Sequence, residues 1–292
     1  GAEIIRLWTA YEDYGKDVSC GKGELDRVTE TYRRIRNTMR FLLGAVSDFD
    51  PSKDMVPYEK LTAIDQWALH ELYELTEKVT QAYDSYEFYK VYHLLNNFFT
   101  VDLSATYLDV LKDRLYTWKA DGTPRRGSQT VLFLITDYLV RMMAPILSFL
   151  SEEVYSYVKG NKAESVFLLD FPEAQVAWNN PSLNQKFTGL LKVRGDVQKV
   201  LENLRAQKVI GASLEASVTI KAEGDLLNDL KSFKDLREFL IVSKVEVVMG
   251  SYEVLAEKAP GEKCVRCWTY STEISQAPAT LGICPKCVEA LT

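Results

Sequence analysis

Residues 25–46 read LDRVTETYRRIRNTMRFLLGAV. The apolar positions Leu25, Val28, Tyr32, Ile35, Met39, Leu42 and Val46 recur at alternating steps of three and four, which puts them on one face of a long amphipathic helix. Helix propensity alone leaves such a segment marginal in water, so its apolar stripe must be buried against neighbours. The cluster Asp48-Phe49-Asp50-Pro51-Ser52 predicts its end, since turn formers and a proline cannot carry the hydrogen-bond ladder onward.

The same spacing returns on the C-terminal side. A second run from near Tyr58 carries Leu61, Ile64, Ala68, Leu72, Leu75, Val79, Ala82 and Tyr86. A third spans residues 86–115, apolar at Val91, Leu95, Phe98, Ala105 and Leu108. A fourth covers 127–145, and a short fifth 152–158. Helix after helix with short connections predicts antiparallel neighbours and a bundle. N-terminal to the long helix, Gly1-Ala2-Glu3-Ile4-Ile5-Arg6-Leu7-Trp8 contains no initiator Met and reads as the interior of a folded element.

Phe171-Pro172 and Trp178-Asn179-Asn180-Pro181 break the helical texture and predict a domain boundary. Beyond it the pattern is mixed. A helix is expected over 182–207, then the alternating strand Ala216-Ser217-Val218-Thr219-Ile220-Lys221, then a charged helix over 225–238. The β-branched run Ile241-Val242-Ser243-Lys244-Val245-Glu246-Val247-Val248 reads as a second strand. The fold class is therefore mainly α, with a helical bundle over 1–170, a small α+β domain over 181–255 and a cysteine module over 260–292.

With 292 residues the chain is long enough for two or three modest domains. No stretch approaches the roughly 18 uninterrupted apolar residues of a membrane span, and no signal peptide is recognisable, so a cytoplasmic protein is expected. The net charge of −6 excludes a wholly basic nucleic-acid binder but not a local basic stripe, because phosphate attraction acts within about a Debye length.

Four of the five cysteines form two pairs, Cys264-Val265-Arg266-Cys267 and Cys284-Pro285-Lys286-Cys287, with sixteen residues between the pairs. A two-residue gap lets one tight turn aim both sulfurs at a single ion, and a loop of about fifteen to twenty residues brings in the second pair. A redox dithiol accounts for one pair, not two. Four thiolates close the tetrahedron, so one structural Zn²⁺ is expected, held by Cys264, Cys267, Cys284 and Cys287. Cys20 stands apart and reads as a small apolar residue. For Trp268 two readings stand open: it stacks on an unpaired base while Arg266 meets phosphate or a base edge, or it roofs the knuckle as its only core.

Arg33, Arg36 and Arg40, with Asn37 nearby, form a stripe beside the apolar face of the long helix. Arginine with asparagine suits phosphate contact and base-edge reading; the alternative is an ordinary solvated face. A second basic concentration lies at Lys112, Arg114, Lys119, Arg125 and Arg126. No phosphate-cradling glycine loop or hydrolase motif is recognisable, and His70 and His93, the only histidines, sit far apart among apolar neighbours. The residues by themselves describe a binding module, not a self-sufficient enzyme.

Several segments, taken in order, resemble bacterial isoleucyl-tRNA synthetases: residues 1–8; Tyr32-Arg33-Arg34-Ile35-Arg36-Asn37-Thr38 with Arg40-Phe41-Leu42-Leu43; Tyr107-Leu108-Asp109-Val110-Leu111-Lys112-Asp113-Arg114; Met143-Ala144-Pro145-Ile146-Leu147; Ser151-Glu152-Glu153-Val154; Gly211-Ala212-Ser213-Leu214-Glu215-Ala216; and Glu262-Lys263-Cys264-Val265-Arg266-Cys267-Trp268. The resemblance implies that 1–170 is a helical anticodon-binding domain whose first residues end a link from a catalytic domain, that 181–255 is a small junction domain, and that 260–292 is the zinc module. It implies a class I ligase joining isoleucine to its tRNA with ATP and Mg²⁺, which bind a catalytic domain upstream together with an editing domain. The chain alone is then expected to be inactive and monomeric, with tRNA(Ile) as partner and Arg33, Arg36, Asn37, Arg40, Arg266 and Trp268 as RNA contacts. The alternative is a stand-alone zinc-containing RNA-binding or assembly module of synthetase descent. The segment Asp17-Val18-Ser19-Cys20-Gly21-Lys22-Gly23 is richer in glycine than the family pattern.

Overall fold

The computed structural model describes residues 1–160 and 163–292. The chain folds into two compact units, one formed by Gly1–Asp109 with Arg126–Asn180, the other by Val110–Arg125 with Pro181–Thr292. The sequence reading treats 110–125 as part of the bundle; its contacts belong to the second unit instead.

The helices in chain order are α1 (Ala2–Tyr11), α2 (Lys22–Ala45), α3 (Ala63–Asp84), α4 (Phe88–Asn97), a π-helix (Phe98–Tyr107), α5 (Leu108–Thr117), α6 (Thr123–Met143) and α7 (Ser148–Tyr157). In the first unit α2 buries Val28, Ile35, Met39 and Leu42, as its spacing requires, with Leu25 and Tyr32 half-buried at the margin. Each of those buried side chains is worth several kcal/mol; truncation of a fully enclosed Met39 to Ala costs ~2–5 kcal/mol. Arg6 of α1 donates to the carbonyls of Pro145 and Ile146, both at 2.8 Å, satisfying acceptors left open past the end of α6. Asp65 is wholly buried and accepts from the hydroxyls of Tyr107 (2.6 Å), Thr62 (2.7 Å) and Ser128 (3.0 Å), so its burial is compensated.

The expected third helix is not uniform. Its middle winds as a π-helix, in which the Thr106 hydroxyl donates to the carbonyl of Val101, five residues back. Nothing in the apolar periodicity signals this. His70 is buried, and its Nδ1 accepts from the Asn180 backbone N–H at 3.1 Å; burial lowers its pKa. His93 is exposed and packs edge-on to Tyr92.

In the second unit α8 (Pro181–Ala206) precedes β1 (Ala216–Ala222), α9 (Gly224–Ser232), α10 (Leu236–Leu240), β2 (Lys244–Met249) and β3 (Glu253–Lys258). The sheet order is β2-β1-β3, with β1 parallel to β2 across the α9–α10 crossover and antiparallel to β3. Ala216, Val218, Ile220 and Ala222 of the central strand are wholly buried. The charged helix expected over 225–238 is two short helices. Strand β3 escapes the sequence reading, because an edge strand carrying Glu253, Glu257 and Lys258 has little apolar signal. The tail adds the two-residue strands β4 (Glu262–Lys263) and β5 (Tyr270–Ser271) and the helix α11 (Pro285–Leu291). Among the described residues, no helix is long and apolar enough to cross a membrane.

Candidate metal centre and nucleic-acid interface

The β4–β5 ribbon presents the first cysteine pair. Its tight turn is closed by Cys264 N–H to Thr269 O at 2.9 Å and Trp268 N–H to Cys264 O at 2.9 Å. The ribbon can close only because Gly261 precedes it: φ is +89°, and a Cβ there would meet Ser271 O at 2.2 Å. The second pair straddles the start of α11, with Pro285 in its first turn. Val265 N–H to Gly282 O at 3.0 Å ties the two turns together.

All four sulfurs are buried and lie within 4.8 Å of one another, Cys264 to Cys287 at 3.8 Å and Cys267 to Cys284 at 3.6 Å. Ligands about 2.3 Å from a tetrahedral zinc are about 3.8 Å apart, so these spacings fit the ion. The Cys284 N–H points at Cys264 Sγ (3.3 Å), and the Thr269 hydroxyl lies 2.9 Å from Cys267 Sγ. Such donors stabilise thiolates and orient them. Four protein ligands leave no open position, so a Zn²⁺ held here would organise the fold and supply no reactive water.

The core of this module is Ile283 with the four cysteines, flanked by Ile274 and Val288. Trp268 is not in it. That side chain is 61% exposed, held in the left-handed region at φ +66°, with the Lys263 ammonium 5.4 Å from its ring centre. The reading in which Trp268 forms the module's core is excluded by its exposure. An L residue pays roughly 1–2 kcal/mol for that backbone conformation, which the two knuckle hydrogen bonds impose.

Arg266 is half-buried, and its guanidinium donates to the Thr117 carbonyl and approaches Cys287 Sγ at 3.6 Å. It thus stitches the knuckle to the end of α5. Lys286 does the same, pairing with Asp113 at 2.5 Å, donating to Thr117 Oγ1 at 3.2 Å and lying over the Trp118 ring. Burial works to raise the Asp113 pKa, but Lys286, Thr117 and Trp118 outweigh it and hold the carboxyl below its ordinary value. Sequence reading overlooks Asp113, Thr117 and Lys286, whose roles arise only from packing.

In the first unit Arg36, Asn37 and Arg40 are exposed on α2 and line one cavity of about 520 Å³. Arg36 grips Glu153 of α7 with two hydrogen bonds of 2.9 Å. Arg33 lies outside the cavity and pairs with Glu30 on its own helix at 3.1 Å. Of the second basic concentration, Lys112 and Lys119 are exposed, whereas the three arginines are partly or wholly buried and partnered. Arg114 is wholly buried against Glu238, Arg125 donates to the carbonyls of Leu115 and Ala120, and Arg126 pairs with Asp48 and Asp54. Cys20 is exposed, not a core residue.

Residues 65–220 match the family described as the anticodon-binding domain of tRNA ligase, and 261–290 match the zinc finger found in FPG and IleRS. Among curated proteins, the isoleucine–tRNA ligase of Geobacter sulfurreducens is 46% identical over 100% of this chain, and that of Thermoanaerobacter sp. 45% identical over 98%. The isoleucine–tRNA ligase of Carboxydothermus hydrogenoformans is 45% identical over 100% of the chain. In each case the chain spans about a third of the relative's length (33%). A solved LeuRS of Agrobacterium radiobacter K84, in a ternary complex with tRNA, aligns at a TM-score of 0.44 and 12% identity, covering 86% of this chain and 28% of that one. The matched segments, with four cysteines at zinc spacing in the second of them, place the chain in the family of tRNA-ligase anticodon-binding domains that carry an IleRS-type zinc finger.

Proposed function

We propose that this chain is the tRNA-holding part of an isoleucine–tRNA ligase, which joins isoleucine to tRNA(Ile) using ATP. ATP, Mg²⁺ and the bond-forming chemistry belong to a catalytic domain that lies with an editing domain in the same parent protein. This chain contributes affinity and anticodon discrimination. The observation that carries the reading is the match along its whole length to isoleucine–tRNA ligases, with the anticodon-binding domain and the zinc finger in one chain.

Arg36, Asn37 and Arg40 are offered as phosphate and base-edge contacts, and exposed Trp268 as a stacking surface. Arg33 adds charge at the margin. Arg266, anchored on Thr117, acts chiefly by setting the knuckle that carries Trp268. A monomer working in the cytoplasm accords with this role.

The test is filter binding of tRNA(Ile) and an unrelated tRNA across a salt series. Cognate preference with salt-sensitive affinity is expected. Equal affinity for both at every salt concentration overturns anticodon reading. Isoleucine-dependent pyrophosphate exchange by the chain alone is expected to be nil.

A further inference from the structure

Each cysteine pair carries a basic residue just before its second sulfur, Arg266 in the first and Lys286 in the second. Both side chains run to one place, the last turn of α5. Arg266 donates to the Thr117 carbonyl, while Lys286 meets Asp113 Oδ2 at 2.5 Å and Thr117 Oγ1 at 3.2 Å. A helix C-terminus has open carbonyls and the negative end of the helix dipole, so it suits two converging cations. The seat is ordered without them. Asp113 accepts from Thr117 Oγ1 at 2.7 Å and from Trp118 Nε1 at 3.2 Å, which fixes its carboxylate within α5 and the residue that follows.

None of these contacts is needed to gather the sulfurs, which the knuckle hydrogen bonds and the four cysteines do within the module. Elsewhere the module is tied to the α+β fold by the chain running on from β3 and by Tyr270 N–H to Ser243 Oγ at 2.7 Å. Attachment on one side leaves a small module free to swing. A second attachment, on α5, stops the rotation. Trp268 follows Cys267 directly and is exposed, so the direction of its ring is the direction of the module.

We propose that the last turn of α5 is the seat of the zinc module, and that Asp113 is the positioning residue that aims Trp268. The two cations reach one helix end together only while the four sulfurs hold the knuckles side by side, so the seat accepts the closed module and not the open one. A ring already aimed spares the cost of ordering it when a partner binds. This rests on the RNA-holding reading and assigns how its stacking surface is directed.

The experiment uses the whole chain and compares wild type, Asp113→Asn, Trp268→Gly and the double variant. Asp113→Asn keeps the side chain's shape and removes the charge that holds Lys286. It is expected to retain one zinc per chain while the residual dipolar couplings of α11 amides, measured against those of α5, average toward independent motion. Its affinity for tRNA(Ile) should fall about tenfold, and Asp113→Glu, which keeps the charge, should recover part of the loss. In the Trp268→Gly background the same asparagine change should have no further effect, since no ring is left to aim. A residue that merely stabilised the fold would weaken binding in both backgrounds. Loss of zinc from Asp113→Asn, couplings like those of the wild type, or equal losses with and without Trp268 overturns the proposal. If the wild type binds no tRNA, the RNA-holding reading falls, and the couplings alone decide whether α5 is the seat.

Discussion

Arg114 and Glu238 meet face to face across the second unit, Nε to Oε1 at 3.0 Å and Nη2 to Oε2 at 2.9 Å, with the guanidinium wholly enclosed. Burial pushes the Glu238 carboxyl up against the pull of Arg114. Removing one partner strands the other charge. Arg114→Met should therefore destabilise the second unit by ~3–5 kcal/mol, whereas Arg114→Met with Glu238→Leu should recover most of that loss. Urea unfolding of the three proteins decides it; a double variant as unstable as the single one contradicts the account.

The cysteine module has a core too small to fold on its own contacts, so its stability is tied to the metal. One zinc per chain is expected by elemental analysis. A chelator, or Cys284→Ala, should unfold 261–290 while leaving the bundle intact, since structural zinc is worth roughly 10–16 kcal/mol apparent. Ligation needs thiolates, so acid should release the ion and unfold the module together. Metal-free protein with a protected tail in hydrogen exchange contradicts this.

Trp268 gives two effects of opposite sign. Trp268→Gly removes the left-handed penalty and should leave the module's stability unchanged or raise it by up to about 1 kcal/mol, allowing for the lost Lys263 contact. The same change should weaken tRNA binding by ~1–3 kcal/mol, with zinc retained. Tight tRNA binding by the glycine variant removes the stacking role.

Glu71 and Asp102 form a partly buried acidic pair in the first unit. Burial, then the charge of Asp102, raises Glu71 to about 7, and burial raises Asp102 to about 6. Both folded-state values exceed the ordinary carboxylate values of 4.5 and 3.8, so between pH about 4 and 7 the folded state binds more protons than the unfolded one. Their contribution to stability is accordingly lost as pH rises through that window and regained as it falls. Glu71→Gln should flatten the fall in urea midpoint between pH 5 and about 8 relative to wild type. An identical pH profile for both proteins rules out the effect.

Legibility followed the range of the interactions. The face of α2 was readable because a helix repeats every few residues, and Ile35, Met39 and Leu42 declare their burial by position alone. The π-helix left no trace, because its apolar spacing differs too little from an α-helix over ten residues. Strand β3 was hidden by its charged, half-covered edge. The stripe made Arg33, Arg36, Asn37 and Arg40 candidates, of which the fold brings Arg36, Asn37 and Arg40 to one cavity; Glu153, which pairs with Arg36 there, was not legible, since it arrives from α7.

The amino-acid order alone determined the helical periodicity, the domain break near Pro181 and the four zinc ligands, because each depends on spacings short enough for the backbone to impose. Only the tertiary structure decided which positive charges face solvent. Arg114 and Arg40 are the same residue type on two amphipathic helices, yet one is sealed against Glu238 and the other opens onto a cavity. A charge is buried or exposed according to the partner that packs over it, and that partner is chosen by the fold.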